Sequence, residues 1–436
     1  MCRIMPVLGI LLFLFVLGGC ASADKRFEQG NEMEAKGQYE QAVMRYVQAL
    51  EKDHTYEPAR IRLLEVGNLA IQEHLTDSET RLQRGDPVGS AGHYRRIDSI
   101  VAQARSVGVR LDVPNDYEGM RRGAFDHAFD TLIDQSVMAR DQGRWEDSAA
   151  YARQAQRDFE PTFDQRNVAL TEEANLYVAW SQAESDYGHL RNAFDVAALV
   201  QMLEWSPPEQ AETASLLMED CLAEGELELI VLPVQAKGKK KNSPEHFVSD
   251  QVEDMLWHGP WRQPPAFIAM DEPLTVRTLL DESGMLDGNV NAATMALILR
   301  LAEADYAAYL KVIDSDVNEF DIKSRTESVK TRQGQPTTFV KESGKLRVQA
   351  TARILIADEF GNEIANEIVS GSGTAPFERG VYAGNPDNLN LSARQVDLFD
   401  QNALADQGMV AHHRLAQDLA RKIADTVFGR TLAMVP

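Results

Sequence analysis

Cysteine, positive charge and long apolar runs are all scarce in this sequence, and each shortage excludes a class of protein or site. The 436 residues include three cysteines. Cys2 and Cys20 belong to an N-terminal apolar segment, so Cys221 is left without a partner for an intramolecular disulfide. Lys and Arg number 44 against 67 Asp and Glu, which gives a net charge of -23. Because such a surface repels phosphate backbones, we expect no nucleic-acid binding.

Motifs for catalysis are missing as well. The sequence contains no G-x-S-x-G nucleophile turn, no H-E-x-x-H zinc helix and no phosphate loop ending in Gly-Lys-Ser/Thr. His412 and His413 are adjacent, so they point to different sides of a helix and make a poor metal pair. We therefore expect no enzymatic activity, no bound cofactor and no metal site.

Residues 1–19 have the features of a secretory signal peptide. A basic residue precedes an apolar run at residues 6–16, which is shorter than the roughly 20 apolar residues of a permanent transmembrane helix. The residues that end this segment resemble the lipobox of bacterial lipoproteins, where small side chains fit the signal peptidase. They are Leu17, Gly18, Gly19 and Cys20.

The lipobox resemblance implies a lipid anchor and a location. Cys20 would become the first residue of the mature chain and carry diacylglycerol and an N-acyl group such as palmitate, with residues 20–23 as the lipidated N-terminus. Two or more acyl chains hold a protein stably at a membrane. Ala21 and Ser22 follow, without the Asp that marks inner-membrane retention in the family, so we expect the periplasmic side of the outer membrane. The alternative is an ordinary cleaved signal that contains a Cys.

Residues 24–224 show helical periodicity and no convincing strand. Their beginning resembles one tetratricopeptide repeat (TPR), in which small residues mark the contact between the two helices of a hairpin. The residues that carry this resemblance are Gly30, Gly37, Tyr39, Ala42, Tyr46 and Ala49. Weaker copies of the spacing contain Gly143, Trp145, Ser148, Ala152 and Ala155, and then Gly188, Leu190, Ala193 and Ala197.

Stacked helical hairpins are therefore predicted for this first domain, although residues 84–122 are too irregular to count as a repeat. The concave side of such a stack usually binds a peptide or another protein. The alternative is that the stack only spaces or packs.

A change of pattern at residues 224–225 marks a second domain, predicted for residues 226–436. Residues 227–234 form a continuous apolar run that favours a buried strand. Helices are predicted at 248–257, 274–286, 291–304 and 409–427, and strands at 266–270, 306–314, 346–356 and 363–370. This order predicts a mixed α/β domain.

The order of elements resembles a group of envelope proteins. The curli-secretion protein family (CsgG), the lipoprotein activators of penicillin-binding proteins (LpoB) and the N-terminal domain of TolB share it. The matching pieces are residues 231–234, 279–288 and 304–306, the turn at 358–362, and the Ala-rich last helix. The resemblance covers about half of the chain and implies a CsgG/LpoB-like domain that acts by binding proteins and in some members self-associates.

Two branches of that group differ in function. One forms a secretion channel in the outer membrane, and another stimulates a peptidoglycan synthase. A channel would need a hairpin with one apolar face, and residues 322–345 are the place for it. Lys323, Arg325 and Glu327 line one side of its first arm, and serines and threonines the other. Neither side is apolar, so we expect that this hairpin does not span a membrane, and a CsgG-like component of a secretion channel is kept as the alternative to a scaffold.

Two features are candidate partner contacts. Trp257 and Trp261 flank a Pro-rich loop, and exposed Trp is enriched at binding hot spots. The alternative is that both tryptophans cap the domain core. Lys239, Lys240 and Lys241 form a basic run that would contact anionic wall polymer or lipid, unless it is simply a solvated loop.

The sequence thus predicts fold class α + α/β, with a TPR-like helical half followed by a CsgG/LpoB-like domain. The expected function is that of a non-enzymatic, lipid-anchored scaffold or adaptor. It would bind periplasmic or outer-membrane proteins during cell-envelope or surface-structure assembly, with activation of a peptidoglycan synthase as one form. A homo-oligomer is compatible with this reading, and an envelope enzyme is the remote alternative.

Overall fold

A computed structural model describes residues 22–237, 243–282 and 290–436. The chain divides into two compact units. Residues up to Ala183 together with Asp195–Leu217 form a helical unit, and Glu184–Phe194 together with Met218–Pro436 form an α/β unit. The predicted fold class, a helical N-terminal half followed by a domain with a mixed sheet, is confirmed at this level.

The first half of the described chain is built from helices joined by short turns. These helices are α1 (Ala23–Ala35), α2 (Tyr39–Lys52), α3 (Glu57–Gln83), α4 (Pro87–Ser106), α5 (Tyr117–Asp141), α6 (Trp145–Arg157), α7 (Phe163–Asp186), α8 (Leu190–Gln201) and α9 (Pro208–Gly225). Successive helices pack against each other as hairpins, α1 with α2, α3 with α4 and α5 with α6.

One spacing of small residues recurs at four of the helical turns. Each turn contains a glycine with positive φ, which a residue without a Cβ adopts at no steric cost. A small buried residue lies seven positions before each glycine and another five positions after it. The glycines are Gly37, Gly85, Gly143 and Gly188, and the pairs are Gly30 and Ala42, Ser78 and Ser90, Ser136 and Ser148, and Ser181 and Ala193.

The first hairpin shows why the spacing matters. A Cβ at Gly30 would lie 2.7 Å from Cδ1 of Tyr46, so only glycine lets α1 approach α2 this closely. The hydroxyl oxygen of Tyr46 lies 2.8 Å from Oδ1 of Asn31 and 2.8 Å from Oε2 of Glu34, either of which can accept its one proton, and its ring lies 5.6 Å from that of Phe27. The helical hairpin predicted from these residues is confirmed.

In the hairpin of α3 and α4, helix α4 lies in the stretch from 84 to 122 for which the sequence predicted no repeat. Serines take the place of the Gly and Ala found in the first hairpin, and the Oγ atoms of Ser78 and Ser90 are 2.8 Å apart. Ser136 and Ser148 make the same contact at 3.0 Å between α5 and α6. A hydroxyl pair buried in this way is tolerated because each hydroxyl supplies the partner of the other.

The α/β unit is organised around one mixed sheet. Its strands are β1 (Leu227–Val231), β2 (Gln235–Ala236), β3 (Ile268–Met270), β4 (Tyr306–Thr331), β5 (Pro336–Asp358), β6 (Glu363–Val381) and β7 (Leu389–Asn390). The order is β3-β1-β4-β5-β6, in which β1 runs parallel to β3 and β4, whereas β4, β5 and β6 form an antiparallel meander.

Helices cover both faces of the sheet. They are α10 (Pro244–His258), α11 (Pro273–Glu282), α12 (Ala292–Ala302), α13 (Ala393–Val396) and α14 (Gln401–Leu432). Helices α10 and α14 bury one face, which includes the strand pair Leu310 and Ile354, and α11 and α12 bury the other, which includes Tyr309 and Leu355. Neighbouring pairs along β4 and β5 thus point to opposite cores, as the alternation of a strand requires.

The meander is longer than the sequence predicted. Strand β4 continues to Thr331 where the prediction ended at 314, and β5 begins at Pro336 where it began at 346. The added parts are polar and paired through backbone hydrogen bonds and cross-strand ion pairs. Arg379 on β6 contacts Glu342 at 2.9 Å and Glu319 at 2.8 Å. Hydrophobic alternation cannot reveal strands of this kind.

The far end of the β4–β5 hairpin has a small core of its own. Phe339 is 1% exposed, and its ring lies 5.2 Å from that of Phe399. Strand β7 pairs with the end of β4, and Leu389 is buried there. The segment after β6 therefore folds back over the hairpin.

Two glycines inside β6 let α14 lie close to the sheet. A Cβ at Gly371 would lie 2.8 Å from that of Leu419, and one at Gly373 would overlap the carbonyl oxygen of Ala411. Both glycines lie in the middle of β6, where their role is close packing against α14.

No described helix is both long enough and apolar enough to span a membrane.

Candidate functional site

Most of the site residues predicted from the sequence lie outside the described residues. These are Leu17, Gly18, Gly19 and Cys20 of the lipobox, and Lys239, Lys240 and Lys241 of the basic run. Part of the CsgG/LpoB-like segment at 279–288 also lies outside them. Lipidation of Cys20 and contacts of the lysines stay predictions.

The two tryptophans proposed as partner contacts are described, and they pack into the α/β unit. Trp261 is 2% exposed, and its ring meets that of Phe428 edge-on at 5.0 Å. Trp257 is partly buried against the same core, 6.5 Å from Trp261. A side chain as buried as Trp261 cannot anchor a partner, so the alternative that the sequence left open, a core role, describes it. Its indole nitrogen has no hydrogen-bond partner among the described residues.

The helical unit contains an open groove of about 550 Å³ between α3, α4 and α5. Helix α3 supplies one wall, the start of α4 the floor, and α5 with the loop before it the other wall. The residues that line the groove include Leu75, Glu79, Leu82, Tyr94, Met120 and His127. The helical spacing from 75 through 79 to 82 places its α3 residues on one face of that helix.

The groove combines exposed apolar side chains with few charges. Leu82 is 45% exposed and Met120 is 40% exposed, on opposite walls. Glu79 and His127 are the titratable side chains that line it, apart from the phenol of Tyr94. A hydrophobic groove is one of the surfaces that bind a peptide segment, which lays the apolar face of its helix into the groove. The acidic character of Glu79 favours a segment with a basic residue opposite it.

A partly buried polar network joins the floor of the groove to one of its walls. Tyr117 donates its hydroxyl to Asp98 at 2.8 Å, and Arg121 pairs with the same carboxylate at 2.7 Å while its guanidinium stacks on Phe125 at 4.4 Å. Burial together with Asp98 raises the pKa of Tyr117 above its ordinary value. The network ties α4 to α5, so it holds the wall formed by α5 against the floor of the groove.

Beside the groove, two buried histidines face each other across the α3–α4 hairpin. Nδ1 of His74 lies 3.1 Å from Nδ1 of His93, and the two side chains are 5% and 7% exposed. Arg81 donates from Nε to Nε2 of His93 at 3.0 Å, and Nε2 of His74 lies 3.4 Å from a carboxylate oxygen of Glu40 on α2. A carboxylate oxygen of Asp77 lies within 4.8 Å of ring nitrogens of both histidines.

This cluster was missed by the sequence reasoning, which expected no metal site. His74 lies four residues before Ser78, and His93 lies three residues after Ser90. Once the serine contact fixes the register of α3 against α4, the antiparallel hairpin brings the two histidines together. Burial and the neighbouring His74 hold the pKa of His93 below its ordinary value.

Comparisons with known proteins found no match, since no protein-family model and no curated protein matches the chain.

Proposed function

We propose that this protein is a non-enzymatic, lipid-anchored scaffold or adaptor at the periplasmic face of the outer membrane. Its helical groove would hold a segment of a partner protein taking part in envelope or surface-structure assembly. The observation that carries the proposal is the open groove with Leu82 and Met120 exposed on its two walls. Contiguous apolar surface left exposed on a protein, especially in a groove, marks interaction sites.

The negative charge of the protein favours a partner segment that carries positive charge. The chain has a net charge of -23 and the groove carries Glu79. A partner segment with apolar side chains and a Lys or Arg would therefore complement the groove. The finer fold assignment, a CsgG/LpoB-like α/β domain, belongs to the same proposal, and it is supported by the order of elements and the residues given under Sequence analysis.

The groove is tested by charge insertion with a control on the same helix. Met120 and Met138 both lie on α5 and are both exposed, at 40% and 54%, yet only Met120 lines the groove. After crosslinking in cells and purification of the full-length chain, Met120→Glu should lose a partner that Met138→Glu retains. Removing a buried contact in a hot spot costs about 2 kcal/mol or more, a loss of roughly thirtyfold in affinity. Equal recovery with both variants would contradict the proposal.

The lipid anchor is tested by fractionation. The Cys20→Ala variant should leave the membrane fraction for the soluble periplasmic fraction, whereas Cys221→Ala, which changes a buried side chain of the α/β unit, should not. If the Cys20→Ala variant still sediments with membranes, the lipoprotein part of the proposal is wrong. The result of this test does not affect the proposal that the groove binds a partner.

A further inference from the structure

The two buried histidines of the α3–α4 hairpin have the spacing of a chelating pair. Zinc binds imidazole nitrogens at about 2.0–2.1 Å with tetrahedral angles, which places two such nitrogens about 3.3 Å apart. Nδ1 of His74 and Nδ1 of His93 are 3.1 Å apart. A small movement of either ring would therefore seat a cation between them.

A third donor lies beside the pair. A carboxylate oxygen of Asp77 lies within 4.8 Å of the histidine nitrogens, and Asp77 is exposed. His74 and Asp77 are three residues apart on α3, which places them on one face of the helix. Two nitrogens and one carboxylate oxygen are a set that suits a divalent transition cation and leaves one position for water.

The surroundings of His74 supply what a metal-bound histidine needs. A histidine that binds a metal through one nitrogen usually donates its other N–H to a carboxylate, which fixes the ring. Nε2 of His74 is buried and has no hydrogen bond among the described residues, yet a carboxylate oxygen of Glu40 is 3.4 Å away. With a cation on Nδ1, the proton of His74 must lie on Nε2, where it faces Glu40.

We propose that His74, His93 and Asp77 form a binding site for one divalent transition cation, with Zn²⁺ as the best match, and that Glu40 orients His74. The site goes beyond the scaffold function and does not depend on it. It would join α3 to α4 across the hairpin that forms two sides of the groove, so a bound cation would stabilise this hairpin by mass action.

The position of Arg81 disfavours binding of a cation at His93. In the metal-free arrangement Nε2 of His93 accepts from Arg81 at 3.0 Å, so Nδ1 of His93 carries the proton and donates to His74. When a cation takes Nδ1, the proton moves to Nε2 and that nitrogen can no longer accept. Arg81 must then turn away, and it already pairs with Asp86 at 2.7 Å. Removing the positive charge of Arg81 should therefore tighten cation binding.

The test uses untagged, full-length protein in detergent after dialysis against a chelator. Calorimetric titration with Zn²⁺ should show one equivalent bound, and Co²⁺ should give the visible absorption of a four-coordinate N/O site. His74→Gln and His93→Gln should each weaken Zn²⁺ binding at least tenfold, and Glu40→Gln about tenfold. The control variant His54→Gln, which changes an exposed histidine of the same unit, should bind Zn²⁺ with the affinity of the original chain.

Two results would overturn the proposal. One is the absence of saturable binding near one equivalent in the original chain. The other is binding that survives in the His74→Gln/His93→Gln double variant. If the double variant fails to fold by circular dichroism, Arg81→Gln decides: binding several-fold tighter than in the original chain supports the site, and unchanged or weaker binding contradicts it.

Discussion

Trp261 offers the sharpest test of how the α/β unit is packed. Its side chain is 2% exposed and lies in the core between α10 and α14, with its ring 5.0 Å from that of Phe428. Truncating a buried Trp to alanine typically costs about 3–5 kcal/mol, because the lost burial adds to the cavity that remains. For a unit of this size, each kcal/mol lowers Tm by about 2–4 °C. Trp261→Ala should therefore lower Tm of the α/β unit by about 6–20 °C.

The phenylalanine variant should behave differently. The indole nitrogen of Trp261 is buried without a hydrogen-bond partner among the described residues. Such an unsatisfied donor costs about 1–3 kcal/mol, so removing it offsets part of the volume that the smaller ring gives up. Since Trp261→Phe also keeps an aromatic ring against Phe428, we expect a change in the free energy of unfolding within about 1.5 kcal/mol.

Thermal denaturation followed by circular dichroism measures both variants. Phe360→Ala is the control, because that side chain belongs to the α/β unit, is 73% exposed, and its loss should change stability by no more than about 0.5 kcal/mol. The proposed packing of Trp261 is refuted if Trp261→Ala lowers Tm no more than Phe360→Ala. It is also refuted if Trp261→Phe is as harmful as Trp261→Ala.

Three further predictions concern single side chains. Gly373→Ala should lower the free energy of unfolding of the α/β unit, measured by urea denaturation, by about 1–3 kcal/mol, because a Cβ there overlaps the backbone of α14. The control is Gly429→Ala on α14, which has open space around it and should be neutral or stabilising. Asp86→Ala should cost the helical unit about 1 kcal/mol, because Asp86 accepts from the N–H of Gly89 as the N-cap of α4, and Asp86→Asn should retain most of this. The free energy of unfolding of the helical unit should fall as pH drops below about 6.5. In the folded state the pKa of His93 is lower than in the unfolded chain, so protonation of His93 at these pH values favours the unfolded chain. His93→Gln should reduce this loss between pH 7 and 5 in urea titrations, and an unchanged pH profile would contradict the assignment.

The parts of the fold that the sequence predicts are those with a local signal. Gly37 and the small residues around it predict the first hairpin, because the contact between two helices needs small side chains at a fixed distance from the turn. The apolar run of β1 and the alternation in β5 predict buried strands for the same kind of reason. In each case the pattern is set by burial on a regular element.

The remaining features depend on contacts between distant segments. The polar half of β4 has no apolar face, so only its pairing with β5 makes it a strand. The groove joins residues from 72 to 127, and the histidine pair joins positions 19 residues apart. Both require the register of α3 against α4, which is concealed because Ser78 and Ser90 stand where the first hairpin carries Gly30 and Ala42. For Trp261 the sequence left two roles open, a partner contact and a core position. The position of a Trp in the sequence does not show whether its side chain is buried, and here it is.

Site-specific photo-crosslinking in cells shows whether the groove between α3, α4 and α5 binds a partner protein. A photoreactive residue replaces either Met120, which lines the groove, or Met138 on the same helix outside it. We expect one dominant adduct with an envelope protein at Met120 and none at Met138, and we expect Leu82→Glu to abolish the Met120 adduct. Adducts of the same kind and yield at both positions, or none at Met120, would contradict binding of a partner in the groove.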